Sequence, residues 1–420
     1  MVSRAAPALV SIAIARTLGT QGLGVYATAA VISAGLASIL DAGSPIQVQA
    51  AAGRISNDLE MTRAVRTALL ARAIAILLSV PATVQIASYL LQRPADKTSI
   101  ALYAAAAAVG ESAWLLTSVA RAFGRERIGF LLGAALAPLP AAAVLLSARV
   151  SASAFSISLS LFVAQLTAIA LWTAIMSPGL GRAKGNWADY MLFARVGLPY
   201  ALATALMWVY TQSDVLVTTS ILGPTAGGSY YGNYRVYAIL SMVAIASSAH
   251  WSPELFGSFN TDNITATRHL IQNRTLKALT IGIALGAMTW FLGPSLTTVL
   301  FGGRFPAELH IHRMLGTGLP AYSVGVVLGA ALTANGKQPR RTILQSLAAI
   351  SNVALNLLLI PRGGIVVAAA TTTLAAGLLA ILYLLECERS NVIPTQTRII
   401  TLLVGLLALA ASIATLIQIA

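Results

Sequence analysis

Leu18–Tyr26 reads LGTQGLGVY, and Leu222–Tyr230 reads LGPTAGGSY. Aligned without gaps, Leu18, Gly19, Gly24 and Tyr26 fall on Leu222, Gly223, Gly228 and Tyr230, while Gly22 falls on Ala226. Each copy lies between two long apolar segments, so each reads as a tight turn joining two membrane helices. A turn that recurs about halfway along a chain argues for two similar halves.

Composition fixes the solvent. Of 420 residues, 57% are apolar and only 10% charged, against about 25% charged in a soluble domain. The chain is therefore expected to be an all-α integral membrane protein. A bilayer-spanning helix needs about 20 apolar residues. The apolar segments run 5–18, 24–50, 67–92, 98–120, 128–148, 152–177, 196–222, 229–253, 276–301, 314–335, 342–360, 364–385 and 399–419. That makes about twelve or thirteen spans by the length criterion. The first is short: either it tilts little and uses Met1–Arg4 as well, or the true first helix begins before Met1. No cleavable signal peptide stands out, because Arg4 precedes an apolar run that leads directly into the first turn.

The net charge of +14 would point to nucleic acid in a soluble chain. Here the basic residues sit in short loops, so no nucleic-acid partner is expected. With the N-terminus placed inside, the inner segments hold clusters such as Arg121, Arg125 and Arg127, or Lys337, Arg340 and Arg341. Arg54, Arg182 and Lys184 also fall inside, while the outer loops hold scattered cations such as Arg93, Lys97 and Arg304. This asymmetry supports the span assignment and a cytoplasmic N-terminus. The longer inner loop Gly179–Arg195 joins the halves, and its Trp187, Tyr190, Met191 and Phe193 suit an interfacial amphipathic piece or headgroup anchoring. The expected organisation is a lobe over 1–180, a linker over 181–195, a second lobe over 196–388 and an additional helix over 389–420. Asn263-Ile264-Thr265 and Asn273-Arg274-Thr275 match the glycosylation pattern but lie on the inner side, where that modification does not occur.

Cys387 is the only cysteine, which excludes an intrachain disulfide and a cysteine metal cluster. The phosphate-loop pattern GxxxxGK[ST], HExxH and GxSxG are all missing, so nucleotide-driven pumping and the corresponding hydrolytic chemistries are not expected. His310 and His312 form an HxH pair in an outer loop without nearby acids, which reads as a solvated loop rather than a metal site.

Charges within the spans carry more information, because they are costly in lipid and usually face a cavity or a partner. The candidates are Asp41, Arg72, Glu111, Asp214 and Arg235. Glu111 lies near the middle of its span. Asp214 lies about 12 Å before the second turn, and Arg235 lies a similar depth beyond it, so the two could pair across a hairpin or serve a substrate. Arg72 is close enough to the inner surface to snorkel. Arg16 sits at the outer edge of the first span, and Asp41-Ala42-Gly43 suits a helix break. Tyr230, Tyr231, Tyr234 and Tyr237 suit an interfacial belt, or a surface for stacking on sugars. Pro138, Pro140 and Pro199 fall inside spans, where proline bends a helix.

Ala15-Arg16-Thr17-Leu18-Gly19 with Gly22, Gly24 and Tyr26 resembles the first hairpin of polysaccharide flippases in the multidrug/oligosaccharidyl-lipid/polysaccharide exporter superfamily. Three later features are similar to the same family: Leu40-Asp41-Ala42-Gly43; Asp214 before Leu222-Gly223-Pro224, with Tyr234-Arg235 following; and Asn356–Pro361 before Gly363-Gly364. Members usually carry more residues ahead of the first turn, and many carry a further span at the end.

The resemblance implies two six-helix lobes around a V-shaped cavity, alternating access, and an isoprenoid pyrophosphate-linked oligosaccharide as substrate. It implies a plasma-membrane location, no enzymatic chemistry and no cofactor beyond a coupling ion, H⁺ or Na⁺. Polysaccharide polymerase and assembly proteins are the implied partners, besides the bilayer. Arg16, Arg72, Arg235 and Tyr234 are the expected substrate-binding residues, and Asp41, Glu111 and Asp214 the expected coupling or charge-pair residues. Arginine suits a pyrophosphate because its planar fork donates to two oxygens at once. An ion-coupled multidrug exporter, a lipid II flippase and a membrane-embedded polymerase or glycosyltransferase remain alternatives. Multidrug exporters commonly carry an acid in the first helix, which this first span lacks. A polymerase would call for a large outer loop, whereas these are short, with Asp96 and Glu308 as their acids.

Overall fold

The computed structural model describes residues 2–52, 58–91, 96–176, 187–259, 264–303, 305–389 and 393–419. Arg54, Arg93, Arg182, Lys184 and Arg304 of the charge pattern, Asn263 and the linker residues 181–186 lie outside them. The described residues form helices and turns, with no strand among them. The chain is an all-α integral membrane protein.

The chain divides into two compact units. The first comprises Met1–Trp208 with Gly223–Gly228, and the second Val209–Leu222 with Ser229–Ala420. The first unit contains α1 (Val2–Leu40), α2 (Ser44–Ala52), α3 (Asp58–Leu90), α4 (Lys97–Gly110), α5 (Ser112–Ala122), α6 (Glu126–Leu136), α7 (Leu139–Val150) and α8 (Ala154–Met176). Helices α9 (Trp187–Leu222) and α10 (Pro224–Phe259) contribute to both units. The second unit continues with α11 (Ile264–Phe301), α12 (Leu309–Ala334), α13 (Gln338–Glu388) and α14 (Thr395–Ile419).

Among the described residues, nine helices are long and apolar enough to cross a membrane, or ten when the bent α9 is included. About thirteen spans were expected, and the difference has identifiable causes. The segments on either side of Gly19 form one helix, α1, broken at a single residue (φ 69°, ψ −163°). The segments on either side of Gly364 form α13, broken in the same way (φ 64°, ψ −153°). Both glycines occupy a backbone region that side chains with a Cβ rarely enter. The break at Gly364 folds α13 back on itself, so that Thr371 Oγ1 donates to Asn356 Oδ1 at 2.6 Å. Helix α10, which carries Asn233 and Arg235 in its first third, is not among the nine.

Several expected spans contain breaks. Asp41-Ala42-Gly43 separates α1 from α2, with Ala42 (φ 55°) and Gly43 (φ 67°) both left-handed. Glu111 separates α4 from α5, and Pro138 caps the start of α7 after α6 ends. Proline lacks the backbone donor that a continuous helix would need there.

The repeated turns meet within the first unit. A Cβ on Gly24 would lie 1.8 Å from the Pro224 carbonyl oxygen, and one on Gly228 would lie 1.9 Å from the Thr20 carbonyl oxygen. Each glycine thus sits against the carbonyl four residues before the other. The contact is reciprocal, as two copies of one motif packed together require. The first unit buries Val48, Met61, Val65, Ala68, Leu115 and Val119 together. The second packs Tyr210, Leu328, Leu379, Tyr383 and Leu384 in its core.

Candidate functional site

The α9–α10 turn at Gly223 and the α13 break at Gly364 place polar residues at matching depths. Asp214 lies nine residues before Gly223 and Tyr230 seven after it. Asn356 lies eight before Gly364 and Thr372 eight after it. At 1.5 Å per residue, each is about 10–14 Å along its helix from the turn. These four residues come together inside the second unit.

Asp214 is 2% exposed. Asn356 Nδ2 donates to its Oδ1 at 2.6 Å, and the Tyr230 hydroxyl donates to its Oδ2 at 3.1 Å. The Thr372 hydroxyl also donates to Oδ2. Around this shell, Asn356 Nδ2 reaches Asn352 Oδ1 at 2.5 Å. The Thr372 hydroxyl lies 2.8 Å from the Ala368 carbonyl, and that of Thr371 lies 3.0 Å from the same oxygen. No cation pairs with Asp214 among the described residues.

A carboxylate withdrawn from water and held only by neutral donors carries a large desolvation cost. Taking up one positive charge relieves that cost. Asp214, the Asn352 and Asn356 amide oxygens, the Thr372 hydroxyl and the Ala368 carbonyl offer one negative and several neutral oxygens, the donor chemistry of a hard cation. A proton on Asp214 would serve the same electrostatic end. The arrangement can hold one positive charge.

Asp214 was expected to have Arg235 as a possible partner across the hairpin, but its partners are the neutral groups above. Arg235 instead donates through Nη2 to the Tyr231 hydroxyl, with its guanidinium carbon 4.3 Å from that ring's centroid. The two side chains lie at similar depths on facing helices, but their directions around those helices differ. The tyrosines do not form an interfacial belt. Tyr230, Tyr231, Tyr234 and Tyr237 are all buried. The rings of Tyr230 and Tyr234 stack at 5.8 Å, those of Tyr234 and Tyr237 tilt together at 5.4 Å, and Tyr237 meets Tyr322 edge-on at 6.4 Å. Tyr234 also donates to the Thr211 carbonyl at 3.4 Å.

Extending the repeat register, Tyr230 corresponds to Tyr26 and Asp214 to Val10. Val10 is buried, and Tyr26 packs edge-on against Tyr103 at 5.4 Å. The carboxylate therefore belongs to the second copy of the motif alone.

In the first unit, Arg72 does not snorkel: it is 3% exposed and forms an ion pair with Asp41, which is 1% exposed. Asp41 also accepts from the Gly43 amide at 2.9 Å and the Ser44 hydroxyl at 2.8 Å, seating the start of α2. Gln47 on α2 then donates to the Ala42 carbonyl at 2.7 Å and the Phe193 carbonyl at 3.2 Å. Glu111 is half-buried at the α4–α5 break, and Arg16 is exposed three residues before Gly19.

His310 and His312 lie at the start of α12 rather than in a loop. Two positions apart on a helix, they face different ways: His310 is exposed, while His312 is buried with Nε2 2.9 Å from Thr297 Oγ1.

Sequence reasoning did not assign Asn352, Thr371 and Thr372 to the site, and took Asn356 only as part of a resemblance. A signal was present, since Asn352 and Asn356 are one helical turn apart in an otherwise apolar run and therefore share a face.

No family model matches the chain, and no curated protein matches it. Solved structures do. A lipid II flippase, MurJ, in an inward closed conformation aligns over 98% of this chain and 90% of its own at 13% identity and TM-score 0.74. An inward-facing multidrug-resistance MATE transporter of the MOP superfamily aligns over 98% and 96% at 15% identity and TM-score 0.68. The MATE multidrug transporter DinF-BH, solved as a complex, aligns over 92% of each chain at 15% identity and TM-score 0.64. The chain therefore shares the fold of these solved structures.

Proposed function

We propose that this protein is a secondary transporter that moves an isoprenoid pyrophosphate-linked oligosaccharide across the plasma membrane by alternating access, supplying cell-surface polysaccharide synthesis. The observation that carries the transporter reading is the buried Asp214 with neutral partners only, a charge that is expensive in a membrane protein unless its occupancy changes during a cycle. Asp214 with Asn352, Asn356 and Thr372 takes the coupling charge, H⁺ or Na⁺. Arg235, held on the Tyr231 ring, and Arg16, exposed beside the first turn, are the candidate pyrophosphate contacts. Arg72 is committed to Asp41 and acts in substrate binding only by leaving that partner. A lipid-linked substrate needs no covalent step, since the isoprenoid remains in the bilayer while the charged headgroup crosses.

The multidrug exporter is the second reading, favoured by the MATE likenesses. Lipid extracts from a host lacking the gene separate the two. The flippase reading expects accumulation of a full-length isoprenoid pyrophosphate oligosaccharide on the inner leaflet with loss of surface polysaccharide. Unchanged glycolipids with increased sensitivity to cationic drugs would overturn it in favour of multidrug export. Accumulation on the outer leaflet would place the protein at polymerisation instead.

A further inference from the structure

We propose that Tyr230 is a positioning residue that couples occupancy of the Asp214 site to the segment of α10 carrying Arg235. The inference rests on the reading of Asp214 as the coupling site and names how that site is read out.

The Tyr230 hydroxyl has two acceptors within reach. Asp214 Oδ2 lies at 3.1 Å and Thr372 Oγ1 at 3.4 Å. The Thr372 hydroxyl also has two, Asp214 Oδ2 and the Ala368 carbonyl, the latter at 2.8 Å. Each hydroxyl carries one proton. With Asp214 ionised and empty, both protons point at Oδ2. When Oδ2 carries a proton or a cation, it accepts less well. The Thr372 proton then turns to Ala368, which frees the Thr372 oxygen to accept from Tyr230. A proton on Oδ2 is itself donated to the Thr372 oxygen, whose second lone pair accepts from Tyr230, so every donor remains satisfied and the chain has two states that differ in where the Tyr230 hydroxyl points.

The Thr372 oxygen lies 3.4 Å away, beyond an ordinary O–H···O bond, so forming that bond fully draws the Tyr230 hydroxyl and its buried ring toward Thr372 and moves the neighbours of the ring. Its ring stacks on Tyr234, which precedes Arg235, and Arg235 bonds to Tyr231, which follows Tyr230. The two-state element and the guanidinium thus share one turn of α10. Coupling requires such an element, biased by both ligands.

The test uses the full chain in nanodiscs with farnesyl diphosphate as an isoprenyl diphosphate probe. Its affinity is measured with Na⁺ against choline, and at pH 6 against pH 8. The wild type is expected to change affinity about tenfold in at least one comparison, within the usual range of coupling between sites. Tyr230→Phe, which keeps the ring and removes the hydroxyl, is expected to bring that ratio to about one. If Tyr230→Phe does not accumulate, Tyr234→Leu provides the test: it leaves the donors on Asp214 in place, removes the ring stacked on Tyr230 and is expected to do the same. If both variants keep the wild-type ratio while Asp214→Asn abolishes it, the Tyr230 proposal is overturned and the coupling site stands. If the wild type shows no dependence on either ion, or Asp214→Asn retains it, the coupling reading fails and takes the proposal with it.

Discussion

Asn356 Nδ2 and Asp214 Oδ1 lie 2.6 Å apart although 142 residues separate them in the chain. The bond links two hairpins, each turned by a glycine with positive φ, and it supplies the amide donor at Oδ1. Asn356→Ala leaves Oδ1 buried without that donor, a loss of about 1–3 kcal/mol. Transport in a complemented deletion host is expected to fall at least tenfold, with membrane levels within twofold on a blot. Wild-type transport would show that the amide serves packing alone.

Asp41 and Arg72 form the second buried pair. Removing one partner strands a charge and costs about 3–5 kcal/mol, while replacing both with apolar residues of similar size costs much less. Asp41→Leu is therefore expected to lower the melting temperature in detergent more than Asp41→Leu with Arg72→Met. The Asp41 single variant also loses the acceptor for Gly43 and Ser44, so the double variant should recover only part of the loss.

Gly24 and Gly228 test the meeting of the repeated turns. Alanine at either position puts a Cβ within 2 Å of a backbone carbonyl, which only helix displacement can relieve. Each variant is expected to reduce folded yield on size-exclusion chromatography by severalfold. Gly257→Ala is the control: nothing lies within 4 Å of its Cβ position, and alanine gains about 1 kcal/mol of helix propensity there.

Asp96 caps α4 from outside the membrane. Its carboxylate accepts from the Thr98 and Ser99 amides at 3.0 and 3.1 Å and from the Ser99 hydroxyl at 2.6 Å. The Ser99 hydroxyl bond leads in holding its pKa below the ordinary 3.8. A depressed carboxyl stabilises fully above its unfolded pKa and loses that contribution as pH falls through the folded value. The protection factors of the first-turn amides of α4, taken relative to the unfolded exchange rate at each pH, should thus be constant from neutral pH to about 5 and fall only in acid. Asp96→Ala is expected to cost about 1 kcal/mol at neutral pH, seen as faster exchange confined to that turn.

The sequence alone determined that this is a multi-pass helical membrane protein, where its turns fall, and that the turn after the first span returns halfway along. Long apolar runs, glycine spacing and the Asp41-Ala42-Gly43 break are local features, and local features survive in one dimension. Which side chains meet was decided by the tertiary structure. Asp214 and Arg235 share a depth, but rotation around their helices sends one to neutral donors and the other to Tyr231. Arg72 has a stem long enough to snorkel, but the α3 face it occupies points at Asp41. The tyrosines of α10 would suit a membrane interface by composition and instead fill the interior of the second unit. Depth along a helix follows from counting residues; the direction of a side chain around it depends on which neighbouring helix packs there, and for Asp214 that neighbour brings Asn356 from 142 residues away in the chain.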